Sequence, residues 1–376
     1  MRILIASQDW DYRFARPQQL ALIFSERHDI IYLATGPGIR TRFRDARRGW
    51  VPWRLPGYRP GTRIQAISAL YLHDAGTADA LIRNHEQYAA RLRVFRAKAL
   101  QGIDLAIVTN PIDLELVRRL DWHRLAYDCL DRYEDFYPEG SDLRALLLAR
   151  EQELLQRADF VFASARVLVE DKSRVRPVHY LPHGVDAERF ELGARSPAPD
   201  LRRARHPIVG FVGAIEGWLN LDWVRAAASE LPDVSFVMVG DIRCDLRGLD
   251  QLPNVRFCGG KRYGAVPSYV AAFDVGIIPF EISHLTAAVN PVKALEYFAL
   301  GKPVVSSQMS ELEQYLPYIS LVRTQADFIS AIRTSLSADR PDGPEARRRI
   351  ARSRSWRAVA EGFLAVVEGR AAGTGF

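Results

Sequence analysis

Short apolar runs alternate along the chain with longer stretches whose apolar positions recur every three or four residues. Strand-length runs followed by helix-length amphipathic stretches are the pattern of parallel βαβ units. In the first half this pattern predicts strands over residues 2–6, 30–33, 105–109, 125–129, 160–163 and 178–181. Helices are predicted over 17–27, 77–100, 114–120 and 141–157. A polar, turn-rich segment with three prolines, 193–207, then interrupts the alternation and reads as a boundary. Beyond it the pattern restarts, with strands over 208–212, 235–239, 255–257, 275–278 and 303–306 and helices over 221–230, 267–272, 291–300 and 325–335. The expected architecture is α/β, with two consecutive Rossmann-like domains over 1–192 and 208–350, a linker over 193–207 and a closing segment over 351–376. No internal repeat or low-complexity region breaks this organisation.

Composition narrows the class. The 376 residues are 48% hydrophobic and 26% charged, which excludes a disordered or fibrous chain and suffices for two buried cores. The longest apolar stretches, 160–169 and 269–280, are interrupted by Arg166 and Asp274. They fall short of the roughly 20 apolar residues that span a bilayer, so no integral membrane segment is predicted. The apolar run at 3–6 is too short for a secretory signal, and a mature cytoplasmic chain starting at Met1 is expected. Cys129, Cys244 and Cys258 lack metal-ligand spacing and signal neither a zinc site nor a disulfide framework. The formal charge of +6 admits anionic substrates or anionic lipid. Without a helix-turn-helix, zinc-finger or RNA-binding signature, no nucleic-acid partner is expected. One charge cluster stands out, at 40–63, where eight arginines surround Trp50, Trp53 and Tyr58. It reads either as a solvated loop or as a peripheral contact with the anionic inner face of the plasma membrane.

The most informative stretch is 280–307, FEISHLTAAVNPVKALEYFALGKPVVSS. Asn290 suits an N-cap and Pro291 the first helical position, so a helix is predicted to start there. Its unpaired first amides, at Val292 and Lys293, together with the Lys293 ammonium, would hold an anion such as a diphosphate. Glu296 lies three residues beyond Lys293 on nearly the same face. Gly301 can close the helix in a left-handed cap. Spacing alone also fits an ordinary capped helix with an exposed ion pair.

This segment resembles the donor-site motif of GT-B glycosyltransferases of family 4, in particular the bacterial cell-surface polysaccharide type of teichuronic-acid synthesis, with its NPxKxxEYxAxGKPVV pattern at 290–305. Further likenesses run along the chain in the order of that subgroup: RPQQLA at 16–21, YDCLD at 127–131, LPHGVD at 181–186 with Phe190, VGFVGA at 209–214, NVRFCGG at 254–260 and Ser355-Trp356. The resemblance implies a GT-B fold whose last helix returns to the first domain. It implies a retaining, metal-independent transferase with no cofactor, moving a sugar from a nucleotide-diphosphate sugar to a hydroxyl of a glycan or lipid-linked acceptor. The implied donor-binding residues are Gly213, Gly260, Lys261, Arg262, Thr286, Asn290, Lys293 and Glu296, with Glu296 on the ribose hydroxyls and 260–262 near the base. Two departures stand out. Ala288 occupies the place of an earlier family glutamate, and the loop IEGWLN at 215–220 lacks the Arg and Lys that often hold the diphosphate.

Several first-domain residues remain open between function and structure. Asp9, Asp11 and Arg16 lie in or beside the loop after the first predicted strand, where acceptors would bind, yet Arg16 equally suits a structural ion pair. Asp128 and Asp131 end another strand on the same rim, as a base at the acceptor hydroxyl or as buried structural carboxylates. His183 reads as structural, His123 and His284 stand alone, and Phe160, Phe162, Val167 and Val169 read as core. The alternatives to a transferase are a non-catalytic glycan- or nucleotide-binding subunit of the same fold, for which Ala288 speaks, and a nucleotide-sugar epimerase or hydrolase.

Overall fold

The computed structural model describes residues 1–8, 10, 14–35, 57–58, 61–68, 78–96, 100–196, 198–202 and 204–370. The chain forms two units, Met1–Pro182 with Val359–Phe376, and His183–Ala358. The segment 193–207 belongs to the second.

The first unit is built on strands β1 (Arg2–Gln8), β2 (Asp29–Thr35), β3 (Gly57–Tyr58), β4 (Ile64–Ser68), β5 (Ile103–Val108), β6 (Trp122–Cys129), β7 (Phe160–Ala163) and β8 (His179–Tyr180). Their order is β3-β4-β2-β1-β5-β6-β7-β8. All neighbours are parallel except β3 and β4. The middle five residues of β1 are buried, as a central parallel strand covered on both faces requires. Its Leu4 pairs with Ile31 on one side and Ala106 on the other. The chain order reverses between β1 and β5, which makes the carboxyl ends of these strands the natural ligand crevice of the unit.

The second unit holds β9 (Ile208–Val212), β10 (Ser235–Val239), β11 (Val255–Phe257), β12 (Val275–Ile278), β13 (Val304–Ser307) and β14 (Ser320–Val322). The order β11-β10-β9-β12-β13-β14 is parallel throughout, and its switch point lies between β9 and β12. Helix Leu221–Glu230 starts where Asn220 Oδ1 accepts from the Trp223 amide, a side-chain N-cap.

The last helix, Trp356–Val367, carries the chain from the second unit into the first. Phe363 is fully buried there, stacked on Phe162 at 4.1 Å and tilted against Phe24 at 5.7 Å. The Arg124 guanidinium donates to the Val367 carbonyl at 2.7 Å, neutralising part of the negative helix end. Within the second unit the Val185 amide donates to the Arg354 carbonyl at 2.8 Å. Gly184 sits so near this crossing that a β-carbon would stand 2.7 Å from the Trp356 nitrogen, which accounts for the glycine of the Leu181–Asp186 motif.

Several elements differ from the sequence expectation. The Phe160, Phe162, Val167, Val169 set is not uniformly core. Phe162 is buried, but Val167 and Val169 lie half-buried on a short helix, Arg166–Lys172, whose buried residues are Leu168 and Lys172. The strand ends at Ala163 and the chain turns at Ser164–Ala165, so the apolar run spans two elements. β4 escaped the apolar-run pattern because it carries Gln65 within it, and β14 because it is an edge strand with only Leu321 and Val322 apolar. Helix Gly343–Ser353 precedes the crossing and is tied to the second unit by the buried Arg347, which donates to the Gly301 carbonyl at 3.0 Å.

Candidate functional site

Two glycines follow the central strands of the second unit. Gly213, after β9, has φ +144, and Gly240, after β10, has φ +158. A β-carbon on Gly240 would stand 1.8 Å from the Gly213 oxygen, and one on Gly213 would stand 2.5 Å from Lys293 Cε. Bare backbone at both positions lets Lys293 lie across the carboxyl ends of the strands at the switch point. Its ammonium is 5.6 Å from the centroid of the Phe211 ring and 5.2 Å from that of Phe280. Aromatic faces at this range attract a cation and keep its charge partly desolvated.

Lys293 is set by the helix Val292–Ala299. Its N-cap is Pro291, one residue later than expected, and no side chain caps it. The amides of Val292 and Lys293 therefore have no carbonyl four residues back within the helix. At the other end Gly301 has φ +69; its amide donates to the Phe298 carbonyl at 2.8 Å and the Lys302 amide to that of Tyr297 at 3.0 Å, a Schellman closure. The core side is pinned by Tyr297, whose hydroxyl accepts from the Val212 amide at 3.0 Å and whose ring fills the space a side chain would need at Gly276.

Glu296 is only 9% exposed. Among the described residues no hydrogen-bond donor meets its carboxyl. Burial pushes the carboxyl up to about 7, and the Lys293 charge alone pulls the other way. The negative charge of Glu296 also adds to burial in raising the Tyr263 hydroxyl, so Tyr263 is its neighbour. A carboxyl held largely out of water and met by no protein donor is open to donors from another molecule.

The other expected donor-side residues divide. Asn290 does not cap the helix; its amide crosses to Glu311, Nδ2 donating to Oε2 at 3.2 Å. The preference of Asn for N-cap positions cannot distinguish this from a side chain reaching out of the turn. Thr286 is 1% exposed, its hydroxyl donating to the Glu281 carbonyl and accepting from the Ser283 amide, so it holds its own loop. Lys261 donates to Asp200 at 2.7 Å and lies over Tyr269, turned to a structural partner. Gly260 is half-buried, and Arg262 is exposed at the cap of the turn Tyr263–Ala265 that leads to the neighbour of Glu296. Ala288 is fully buried. In the loop without Arg or Lys, Glu216 pairs with Arg243 at 3.2 Å.

Residues 206–337 match the family model described as glycosyl transferases group 1. TuaH of Bacillus subtilis (strain 168), whose name assigns it provisionally to glycosyl transfer in teichuronic acid biosynthesis, is 31% identical over 255 residues. The match covers 62% of this chain, and the chain spans about 64% of the length of that relative. Among solved structures, sucrose-phosphate synthase from Thermosynechococcus elongatus superposes with a TM-score of 0.75 at 17% identity over 98% of each chain. HepE from Anabaena, solved with UDP and glucose, superposes with a TM-score of 0.68 at 15% identity over 98% of this chain and 99% of that one. The fold is GT-B.

The match to group 1 glycosyl transferases falls wholly within the second unit.

Lys293, Glu296, Gly213 and Asn290 all lie inside the matched residues, whereas the acceptor-side candidates lie in the first unit. There, Arg16 and Asp128 prove to be partners. Arg16 Nε donates to Oδ2 at 2.9 Å and Nη2 to Oδ1 at 2.6 Å. Nη1 donates to the carbonyls of Leu181 at 2.6 Å and Pro182 at 3.2 Å. Arg16 is 1% and Asp128 0% exposed, so neither offers an atom to a substrate. The expectations of Asp128 as a base and Arg16 as an acceptor contact are corrected to one buried ion pair that joins the first helix to β6. Burial pushes the Asp128 carboxyl up while Arg16 pulls it down.

Asp131 remains half-buried beyond β6, and its charge adds to burial in raising the hydroxyl of Tyr133. Asp9 and Asp11 lie outside the described residues, as does most of the 40–63 arginine cluster. Among the described residues of this unit, several buried polar groups went unread in the sequence. One is Glu151, accepting from Tyr127 at 2.8 Å and from Lys172; another is His85 paired with Asp113 at 3.3 Å. Their members lie far apart in the chain and leave no local pattern. Among the described residues no helix is long and apolar enough to cross a membrane.

Proposed function

We propose that the chain transfers a sugar from a nucleotide-diphosphate sugar to a hydroxyl of a glycan or lipid-linked acceptor in cell-surface polysaccharide synthesis, with retention at the anomeric carbon. The observation that carries this reading is Glu296, a buried carboxyl without donors, one turn along from a lysine laid over Gly213 at the switch point. A ribose offers two hydroxyls to such a carboxylate. The diphosphate would meet the Lys293 ammonium and the first amides of the same helix, which neutralise the charge that grows on the leaving group. The name of TuaH supports the polysaccharide context, and the UDP held by HepE supports a nucleotide-sugar donor. The arginines of 40–63 would keep the chain at an anionic inner leaflet, where lipid-linked acceptors lie.

Buried Ala288, where the resembling family has a glutamate, favours a second reading, a non-catalytic subunit that binds nucleotide or glycan. Incubation with UDP-, GDP- and ADP-sugars and a lipid-linked glycan acceptor separates the two. Acceptor-dependent release of the nucleoside diphosphate supports transfer. Tight binding of a nucleoside diphosphate with no turnover of any sugar on any acceptor favours the second reading.

A further inference from the structure

We infer that Glu311 is a positioning residue of the donor site, acting through Asn290 to fix the start of the helix that presents Lys293 and Glu296; the inference rests on the donor-site reading above. The helix start has no side-chain cap of its own, because Pro291 occupies the cap position. Its anchorage comes instead from the adjacent strand end. The turn Ser310–Tyr315 leaves the carboxyl end of β13 and carries Glu311, 1% exposed, to the 6% exposed Asn290. Asn290 Nδ2 donates to Glu311 Oε2 at 3.2 Å. The turn is itself held rigid, with the Leu312 amide donating to the Met309 carbonyl at 3.0 Å and Gln314 Nε2 to the Glu311 carbonyl at 2.7 Å. From the same turn the Tyr315 ring meets Phe298, near the other end of the donor helix, edge-on at 5.6 Å.

One short turn therefore braces both ends of the helix, by a charge-assisted hydrogen bond at the start and an aromatic contact toward the end. Glu311 accepts and Asn290 donates, so the bond has a fixed polarity. An anion beside a helix start is also favoured by the helix dipole. Donor binding then depends on a side chain that need not touch the donor.

The bond can be reversed. Asn290→Asp sets two carboxylates against each other, and Asn290→Asp with Glu311→Gln restores an amide–carboxylate bond with its ends exchanged. Calorimetry would use whichever of UDP, GDP and ADP the wild type binds most tightly, with melting temperatures recorded alongside. Asn290→Asp and Glu311→Ala should each weaken binding about tenfold or more, the scale of a charge-assisted hydrogen bond, and the reversed pair should recover most of that loss. Wild-type affinity in Asn290→Asp or Glu311→Ala, or a reversed pair that binds no better than Asn290→Asp, would overturn the inference. So would affinities unchanged among variants whose melting temperatures fall, because that is the signature of a purely structural bond. If Lys293→Ala and Glu296→Ala also bind like wild type, the donor-site reading itself has failed; if they lose affinity, only the role of Glu311 has.

Discussion

The side chain of Lys293 passes over Gly213 so closely that a β-carbon on the glycine would stand 2.5 Å from Lys293 Cε. A glycine at the end of a central strand and a lysine on a helix eighty residues later thus share one position at the switch point. Gly213→Ala must push the lysine aside and also hold a side chain at φ +144, a conformation unfavourable for alanine. We expect this variant to lose nucleoside diphosphate affinity by about tenfold, on the scale of one charged hydrogen bond, with at most a modest fall in melting temperature. Calorimetry on folded protein checks this, and unchanged affinity would mean that the position of Lys293 over the strand ends does not matter for the ligand.

Glu296 links donor binding to pH. A carboxyl accepts both ribose hydroxyls only when ionised, and in the free protein burial places its titration at about 7. Nucleotide affinity should therefore rise between pH 6 and 8, and Glu296→Gln should flatten that rise. Stability runs the opposite way. The folded carboxyl holds its proton up to about 7 whereas the unfolded one loses it near 4.5, so the folded state binds more protons between these values. Ligand-free protein should lose stability as pH rises through that window, by about 3 kcal/mol at roughly 1.4 kcal/mol per pH unit. Melting curves of wild type and Glu296→Gln at pH 5 and 8 test this, with the variant expected to gain on the wild type at pH 8.

Asp128 should behave as a structural residue. Removing one member of a buried ion pair leaves the other charge uncompensated and costs about 3–5 kcal/mol. Asp128→Asn should lower the unfolding midpoint of the first unit while the folded fraction retains donor binding. An unshifted midpoint with turnover abolished would instead return Asp128 to the chemistry.

Charge neutralisation by Lys293 and the helix amides carries an expectation for metal removal. Transfer should proceed at an unchanged rate in excess EDTA. A loss of turnover that magnesium restores would show that these groups are insufficient for the leaving diphosphate.

The strands 160–163, 208–212, 235–239 and 275–278 are legible in the sequence to the residue, because a parallel strand covered on both faces is a continuous apolar run, and 255–257 is legible although it is an edge strand with Arg256 exposed at its centre. The same signal fails at β4, which is interrupted by Gln65, and it overruns at β8, where the apolar run 178–181 holds a strand of two residues. In the candidate site, Lys293 and Glu296 were legible because helical spacing is local. The partners of Arg16 and Asn290 were not. Arg16 and Asp128 are 112 positions apart, and Asn290 reaches Glu311 across 21. Residue type announced a polar bond at both places, but only the packing of strand ends decided with whom it formed.

The central claim is that Lys293 and Glu296 hold the two ends of one ligand, and calorimetry with a nucleoside diphosphate and its nucleoside on Lys293→Ala and Glu296→Ala tests it most directly. Glu296→Ala should weaken both ligands by roughly 10-fold to over 100-fold, the equivalent of about 1.5–3 kcal/mol, and Lys293→Ala should weaken the diphosphate far more than the nucleoside. Ligand-free melting temperatures should not fall much in either variant. Affinities equal to wild type in both would contradict the account and remove the donor site from this helix.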